Sequence, residues 1–96
     1  MHAVIRTYTG RGASELISLL VRHQPEVEAI FHSIDGFTSY AAVVTADGGV
    51  TVTICETKAG ADESVARARD WVAKNAAHLG LGPPAVAEGS VAILMR

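Results

Sequence analysis

The sequence predicts an α+β fold of the ferredoxin-like type, in which a four-stranded antiparallel sheet carries two helices on one face. Two β-branched runs joined by a glycine-containing turn predict a central hairpin, an amphipathic helix flanks the hairpin on each side, and a strand-like segment lies near each end of the chain. The element order is therefore β-α-β-β-α-β, and right-handed crossovers place both helices on the same face. With 96 residues, the chain has room for one domain, residues 1–96.

The central hairpin extends from Phe37 to Thr57. Its loop is either Asp47-Gly48 or Gly48-Gly49, because glycine readily adopts the positive φ that two-residue loops require. The two alternatives shift the pairing by two residues, so the same side chains share a face in both. We expect the more apolar side to pack against the helices: Phe37, Ala41, Val43, Val50, Val52 and Ile54. The other side is half-apolar: Tyr40, Ala42, Val44, Thr51, Thr53 and Cys55.

The segment before the hairpin predicts a strand over residues 2–8 and a helix capped by Ser14 and ending near Ser33. The apolar stripe of this helix has spacings of three and four and consists of Leu16, Leu20, His23, Val27, Ile30 and Ile34. Pro25 interrupts it, so the helix either kinks there or restarts with Pro25 in its first turn. Because the stripe keeps its phase across Pro25, we expect a kink within one long helix.

The segment after the hairpin predicts a second helix that is capped by Asp62 and ended by Gly80. Its expected buried stripe is Val65, Ala68, Val72, Ala76 and Leu79. A last strand follows the connector Gly82-Pro83-Pro84, with Gly89 as a candidate for a bulge.

Composition and charge exclude several classes of partner. The net charge is −2 and no basic cluster is present, which argues against nucleic acid and anionic membranes. No apolar run approaches membrane-spanning length and no signal-peptide pattern begins the chain, so we expect a cytoplasmic protein. The single cysteine, Cys55, cannot form an internal disulfide and is interpreted as a buried, inert thiol. The four histidines show no metal-ligand spacing, so no metal site is predicted.

One face of the predicted sheet has no helix to cover it. On the interpretation above this face carries Tyr40, Ala42 and Val44, and an exposed apolar face of this kind favours association with a second copy of the chain. We therefore expect a homodimer formed face to face, with these three residues in the interface.

The chain resembles the dimeric α+β barrel superfamily, in particular the small antibiotic-biosynthesis-monooxygenase-like proteins. The resemblance covers nearly the whole chain. It rests on the element order, on the segment IDGFTSY from Ile34 to Tyr40, and on the acidic start of the second helix after Cys55-Glu56-Thr57. The superfamily includes cofactor-independent oxygenases of aromatic polyketides, haem-degrading proteins and isomerases. Trp71 and His78 match the tryptophan and histidine of the haem-degrading members, but the first strand HAVIRTY lacks their asparagine.

Two groups of residues are candidates for a site between the helices and the sheet. His23 lies on the apolar stripe of the first helix, where it is either a catalytic base facing a cavity or a hydrogen-bonded structural residue. Trp71, Asn75 and His78 recur at spacings of four and three, so they either hold a ligand, with His78 as a base, or form the rim of the core. Phe37 would contribute to the ligand-binding sheet surface. Gly10-Arg11-Gly12 is interpreted as a plain loop, the alternative being a weak anion site.

Two classes of function remain open from the sequence. The first is a cofactor-independent monooxygenase or isomerase acting on a small apolar or aromatic molecule, with no cofactor required. The second is a non-catalytic dimer that binds a small ligand or serves as an accessory module. A cavity between the helices and the sheet would favour the first.

Overall fold

The computed structural model describes residues 1–96 and contains four strands, three α-helices and one 3-10 turn. In chain order these are β1 (His2–Thr9), α1 (Ala13–Arg22), α2 (Gln24–His32), β2 (Phe37–Thr45), β3 (Gly48–Cys55), α3 (Lys58–Asn75), the 3-10 turn (Ala77–Leu79) and β4 (Ala85–Ser90). The strands are antiparallel in the order β2-β3-β1-β4. The predicted ferredoxin-like α+β fold is confirmed. No helix has the combination of length and apolar character that crossing a membrane requires.

The region around Pro25 differs from the prediction of one kinked helix. α1 ends at Arg22 and α2 begins at Gln24, with the backbone of His23 outside the helical region at φ −106° and ψ 24°. Pro25 therefore lies in the first turn of α2, where its missing N–H removes no helical hydrogen bond. The kink prediction was wrong and the restart alternative is correct. The apolar stripe kept its phase because only one residue interrupts the helices.

The second predicted helix has different ends from those expected. Thr57 is its cap, since its hydroxyl accepts a hydrogen bond of 3.1 Å from the backbone N–H of Gly60. Asp62 instead lies inside α3 and pairs with Lys58. The helix ends at Asn75, and Gly80 follows the 3-10 turn in the left-handed conformation.

The hairpin loop consists of Ala46 and Asp47, because Thr45 pairs with Gly48. This loop also has two residues, so the side chains that share a face are the predicted ones, with the exception of Phe37. A register irregularity lies between Phe37 and Ser39, and it places Phe37 on the same face as Tyr40. Gly89, where a bulge was considered, pairs regularly with Ala3.

The helices cover the side of the sheet that was predicted to be uncovered, and they leave uncovered the side that was predicted to pack against them. In β3, Thr51, Thr53 and Cys55 are buried beneath the helices, while the alternate residues are only partly buried. The ring of Tyr40 stacks on Phe31 of α2, with their centroids 4.2 Å apart. The face beneath the helices, called the helix face, includes Val4, Arg6, Tyr8, Phe37, Tyr40, Ala42, Val44, Thr51, Thr53, Cys55 and Val86. The uncovered face, called the open face, includes Ala3, Ile5, Thr7, Ala41, Val43, Val50, Val52, Ile54, Ala85 and Ala87.

This reversal corrects the predicted dimer interface. Tyr40, Ala42 and Val44 lie on the helix face, so they are not on the surface from which a face-to-face dimer was predicted. Both sides of the hairpin are apolar enough to be buried, and the more apolar one is the one that the helices leave uncovered.

The main core lies between the helices and the helix face. It consists of Tyr8, Ala13, Leu16, Leu19, Val27, Phe31, Ile34, Trp71 and Ala76. Gly12 lets α1 start close to the 3-10 turn, because a Cβ at this position would lie 2.6 Å from the Leu79 carbonyl oxygen. The Gly10-Arg11-Gly12 segment is accordingly a loop that joins β1 to α1.

Candidate ligand cavity between the helices and the sheet

A small cavity lies between the helices and the sheet, and we call it the central cavity. Its volume is about 30 Å³, enough for a water molecule. Aliphatic and aromatic side chains form its walls: Leu16, Leu20, Val27, Ile30, Phe31, Ala68, Trp71 and Val72. Its polar lining comes from Arg6, Tyr8, Tyr40, Thr51 and Arg67. The sheet thus supplies four of the polar residues and α3 supplies the fifth, Arg67, to a space that is otherwise apolar.

Two larger grooves adjoin the central cavity. The edge groove, of about 510 Å³, lies between α1, α2 and β2 and shares Leu20, Val27, Phe31 and Tyr40 with the cavity. The arginine groove, of about 400 Å³, lies between α3, β1, β4 and the connector before β4, and shares Arg6, Tyr8 and Val72 with the cavity. Both volumes are in the range of small-molecule pockets. A ligand larger than water would therefore occupy a groove and reach the central cavity from it.

Arg6 is the most unusual residue of the cavity, because it is charged and only 5% exposed. Its Nε donates one long hydrogen bond, 3.5 Å, to the hydroxyl of Thr51, its direct partner on β3. None of the ion pairs in the structure includes Arg6. Arginine is rarely buried without an acidic partner, since removing an ion from water costs several kcal/mol. Arg6 is thus a buried positive charge without a counter-ion.

The phenol of Tyr40 stays protonated near neutral pH. Burial raises the pKa of Tyr40 to about 12, and the nearby charge of Arg6 and the hydroxyl of Thr51 only partly offset this effect. Tyr40 can therefore donate a hydrogen bond into the cavity but cannot act as a base there. No carboxylate and no histidine lines the central cavity.

Trp71 is 6% exposed and forms part of the cavity wall. Its indole N–H donates a 3.1 Å hydrogen bond to Oε1 of Glu26. The ring of His23 lies edge-on to the indole, with a centroid separation of 5.8 Å, and its Nδ1 is 3.6 Å from Oε2 of Glu26. The break between α1 and α2 places His23 here. His23 and Glu26 therefore orient Trp71 from outside the cavity.

The expectation that His23 points into the cavity is wrong, because this side chain does not line it. It lies at the break between α1 and α2, beside Trp71 of α3. His78 is exposed on the 3-10 turn, so the structure does not bring it near Trp71. Asn75 donates to the backbone oxygen of Trp71 at 2.9 Å and lies on the outer side of α3. Phe37 lines the edge groove and stacks on Phe31.

Cys55 does not line the central cavity. Cys55 is a free, buried thiol, and burial raises its pKa. No group of three or more His, Cys, Asp or Glu side chains is placed to hold a metal ion.

The sequence pattern did not identify three of the residues that line the cavity, namely Arg6, Tyr8 and Thr51. The only signal was the alternation of Val4, Arg6 and Tyr8 on one side of β1, and adjacent Val4 and Ile5 made either side of that strand a candidate for the core. Burial of Arg6 is decided by the position of the helices, which the strand pattern does not contain.

The fold and these spaces define a small ferredoxin-like α+β protein with a water-sized cavity between its helices and its sheet and two larger grooves that adjoin it. Three solved structures share this fold over 99% of the chain. The NE2512 protein of unknown function from Nitrosomonas europaea matches with a TM-score of 0.67 and 17% identity, over 91% of that chain. Rv0793 from Mycobacterium tuberculosis matches with a TM-score of 0.63 and 26% identity, over 96% of that chain. A monooxygenase from the gene ActVA-Orf6 of Streptomyces coelicolor, in complex with nanaomycin D, matches with a TM-score of 0.63 and 18% identity, over 91% of that chain.

The predicted resemblance to the antibiotic-biosynthesis-monooxygenase-like superfamily is thus confirmed for the fold. No family model matches the sequence, and no curated protein matches it.

Proposed function

We propose that the protein binds a small apolar or aromatic molecule between its helices and its sheet and acts on it as a cofactor-independent monooxygenase or isomerase. The observation that carries this proposal is the central cavity together with the two grooves that adjoin it, because this largely apolar space contains the hydroxyl groups of Tyr8, Tyr40 and Thr51. Apolar walls exclude water from a reacting molecule, and hydroxyl donors orient a carbonyl or hydroxyl group on it. The fold is shared with a monooxygenase whose structure contains a bound ligand, which supports the same reading.

Oxygenation without a cofactor requires a substrate that supplies its own electrons. A ring CH₂ can be converted to C=O by O₂, with one oxygen atom entering the product and the other leaving as water. From the edge groove, an oxygen already on the ring would accept a hydrogen bond from Tyr40 while Phe31 packs against the ring, and from the arginine groove it would accept one from Tyr8. An isomerase would use the same contacts without consuming O₂.

We also propose that the protein is a homodimer formed through the open face. This face carries mainly aliphatic side chains, among them Ile5, Val43 and Val52, and the first two are exposed by 39% and 47%. A sheet face of this composition is a typical protein interface, and a stable one buries on the order of 1,500 Å². Sedimentation at micromolar concentration should give about twice the chain mass of 10.0 kDa. A single species of the chain mass would refute the dimer.

A non-catalytic binding or accessory dimer is the second candidate. One observation favours it: neither the central cavity nor the arginine groove contains a histidine or carboxylate that could remove a proton near neutral pH. On this alternative the cavity binds the same kind of molecule but leaves it unchanged.

Oxygen uptake with anthrone, which has an oxidisable ring CH₂, separates the two candidates. We expect uptake with the wild type and reduced uptake in Ala68→Leu, because the added atoms fill the central cavity that a ligand in a groove would reach. Ala66→Leu is the matched control, since Ala66 is exposed on the same helix. Ligand-induced NMR shifts without oxygen uptake or isomerisation would favour the binding protein, and no binding at all would refute both candidates.

A further inference from the structure

We infer that the ligand carries an ionised oxygen group, a carboxylate or a phenolate, which binds between Arg6 and Arg69 in the arginine groove. This inference rests on the proposed function for the existence of a ligand but adds the charge of that ligand and the groove through which it reaches the cavity.

The first support is Arg6, whose buried guanidinium has no acidic partner. Arg6 lines both the arginine groove and the central cavity, so it is reachable from the groove. A guanidinium in a site of low polarity binds a carboxylate or phenolate more strongly than it does in water, because fewer water molecules compete for its donors.

The second support is the charge of the groove lining. Arg69 lies on α3 and lines the same groove, and no ion pair or side-chain hydrogen bond holds it. The ten residues of the lining include both arginines and no acidic residue. The neighbouring Arg67 is different, because it pairs with Glu63 at 2.9 Å and donates to the Ser33 hydroxyl. The groove therefore has two uncompensated positive charges, one deep and one near its mouth.

The third support is the shape of the groove. Val65, Val72, Leu81 and Val86 provide apolar contact area, and Pro83 in the connector limits the backbone freedom of one wall. A flat apolar ring fits between these side chains while its ionised oxygen reaches Arg6. The groove of about 400 Å³ is large enough for such a ligand, whereas the central cavity alone is not.

Binding of matched anionic and neutral probes tests the inference. One pair is 2-naphthoate and 2-naphthamide, and the second is 4-nitrophenolate and 4-nitroanisole, so the two arms separate carboxylate from phenolate recognition. Calorimetry should show that the anion of at least one pair binds about 10-fold more tightly than its neutral partner, as expected for a charge-assisted hydrogen bond. The Arg6 Nε–H signal should shift in NMR spectra on binding of that anion.

Variants assign the preference to the groove. Arg6→Met should abolish the preference for the anion, and Arg69→Gln should reduce it partly. Arg22→Gln is the matched control, because Arg22 is an exposed arginine at the end of α1 and remote from the groove lining. If Arg6→Met fails to fold, the wild-type probe pairs and the Arg6 signal still decide the question.

The outcomes also separate this inference from the proposed function. Equal affinity for the anion and its neutral partner in both pairs, or no binding of either anion, overturns the inference, whereas oxygen uptake with anthrone would still support the proposed activity. An anion preference that depends on Arg6 supports the inference even if no turnover is found.

Discussion

Replacing Arg6 by methionine should stabilise the ligand-free protein. Methionine keeps an unbranched apolar chain of similar length and removes the guanidinium, which is only 5% exposed and has no acidic partner. This outcome is opposite to that for most core substitutions, which destabilise.

The expected magnitude follows from two opposing contributions. Burying the guanidinium of Arg6 costs several kcal/mol, and hydration through the adjoining groove reduces this cost. The only bond that the substitution removes is the 3.5 Å contact from Nε to Thr51, and a good hydrogen bond contributes about 1 kcal/mol. We therefore expect a gain in the free energy of unfolding of about 1–2 kcal/mol. For a domain of this size, that corresponds to a rise in Tm of roughly 4–15 °C.

Urea denaturation at one fixed protein concentration measures the effect, since a dimer makes the apparent stability depend on concentration. Arg22→Met at an exposed position of α1 is the control and should change the stability by less than about 0.5 kcal/mol. A loss of stability of about 1 kcal/mol or more in Arg6→Met would refute the reasoning, because it would mean that the folded protein satisfies the guanidinium internally.

Three further predictions follow from the same structure. Val52→Asp on the open face should shift the protein to a 10.0 kDa monomer in sedimentation experiments, because association would bury an unpaired charge; unchanged association would exclude the open face as the interface. Since the pKa of Tyr40 is raised from 10.0 to about 12, the unfolded state loses this proton first, so the stability should fall as the pH rises across that range. Tyr40→Phe should remove this part of the pH dependence, and an identical slope in both proteins would contradict the assignment. Gly48→Ala should destabilise by about 1–3 kcal/mol in thermal unfolding, because its Cβ would lie 2.1 Å from the Tyr8 carbonyl oxygen, whereas Gly89→Ala meets no atom within 4 Å and should have little effect.

The element order and the grouping of side chains by face could be predicted because they depend on local periodicity. Any two-residue loop leaves the same side chains on the same face of the hairpin. The position of the loop at Ala46 and Asp47 therefore moved no residue to the other face. Spacing alone could not distinguish a kink at Pro25 from a one-residue break at His23, because each preserves the helical phase to within a single residue. The choice between them depends on how α2 packs.

The candidate site was predicted only in part. Trp71 was chosen as a candidate because it recurs with Asn75 and His78 at helical spacings of four and three beside the apolar stripe, and the structure places it in the wall of the central cavity. Its predicted partner His78 left the shared face because α3 ends at Asn75, and helical spacing holds only within the helix. Arg6 was overlooked because a charged residue in a strand is ordinarily assigned to the solvent side.

The reversed faces and the unpaired arginine have a common physical explanation. If helices alone covered this sheet, the more apolar side would face them, yet the helix face carries Arg6, Tyr8, Tyr40 and Thr51 while the open face is mainly aliphatic. Such an arrangement is favourable when a polar ligand occupies the inner side and a second copy of the chain covers the outer side. Successive side chains of a strand point to opposite faces of the sheet, and Val52 lies on the open face. Val52→Asp should therefore weaken association without altering any side chain that lines the arginine groove. Anion binding by the folded monomer should therefore match that of the dimer, and a loss of anion binding in that variant would show that the two surfaces are coupled through these strands.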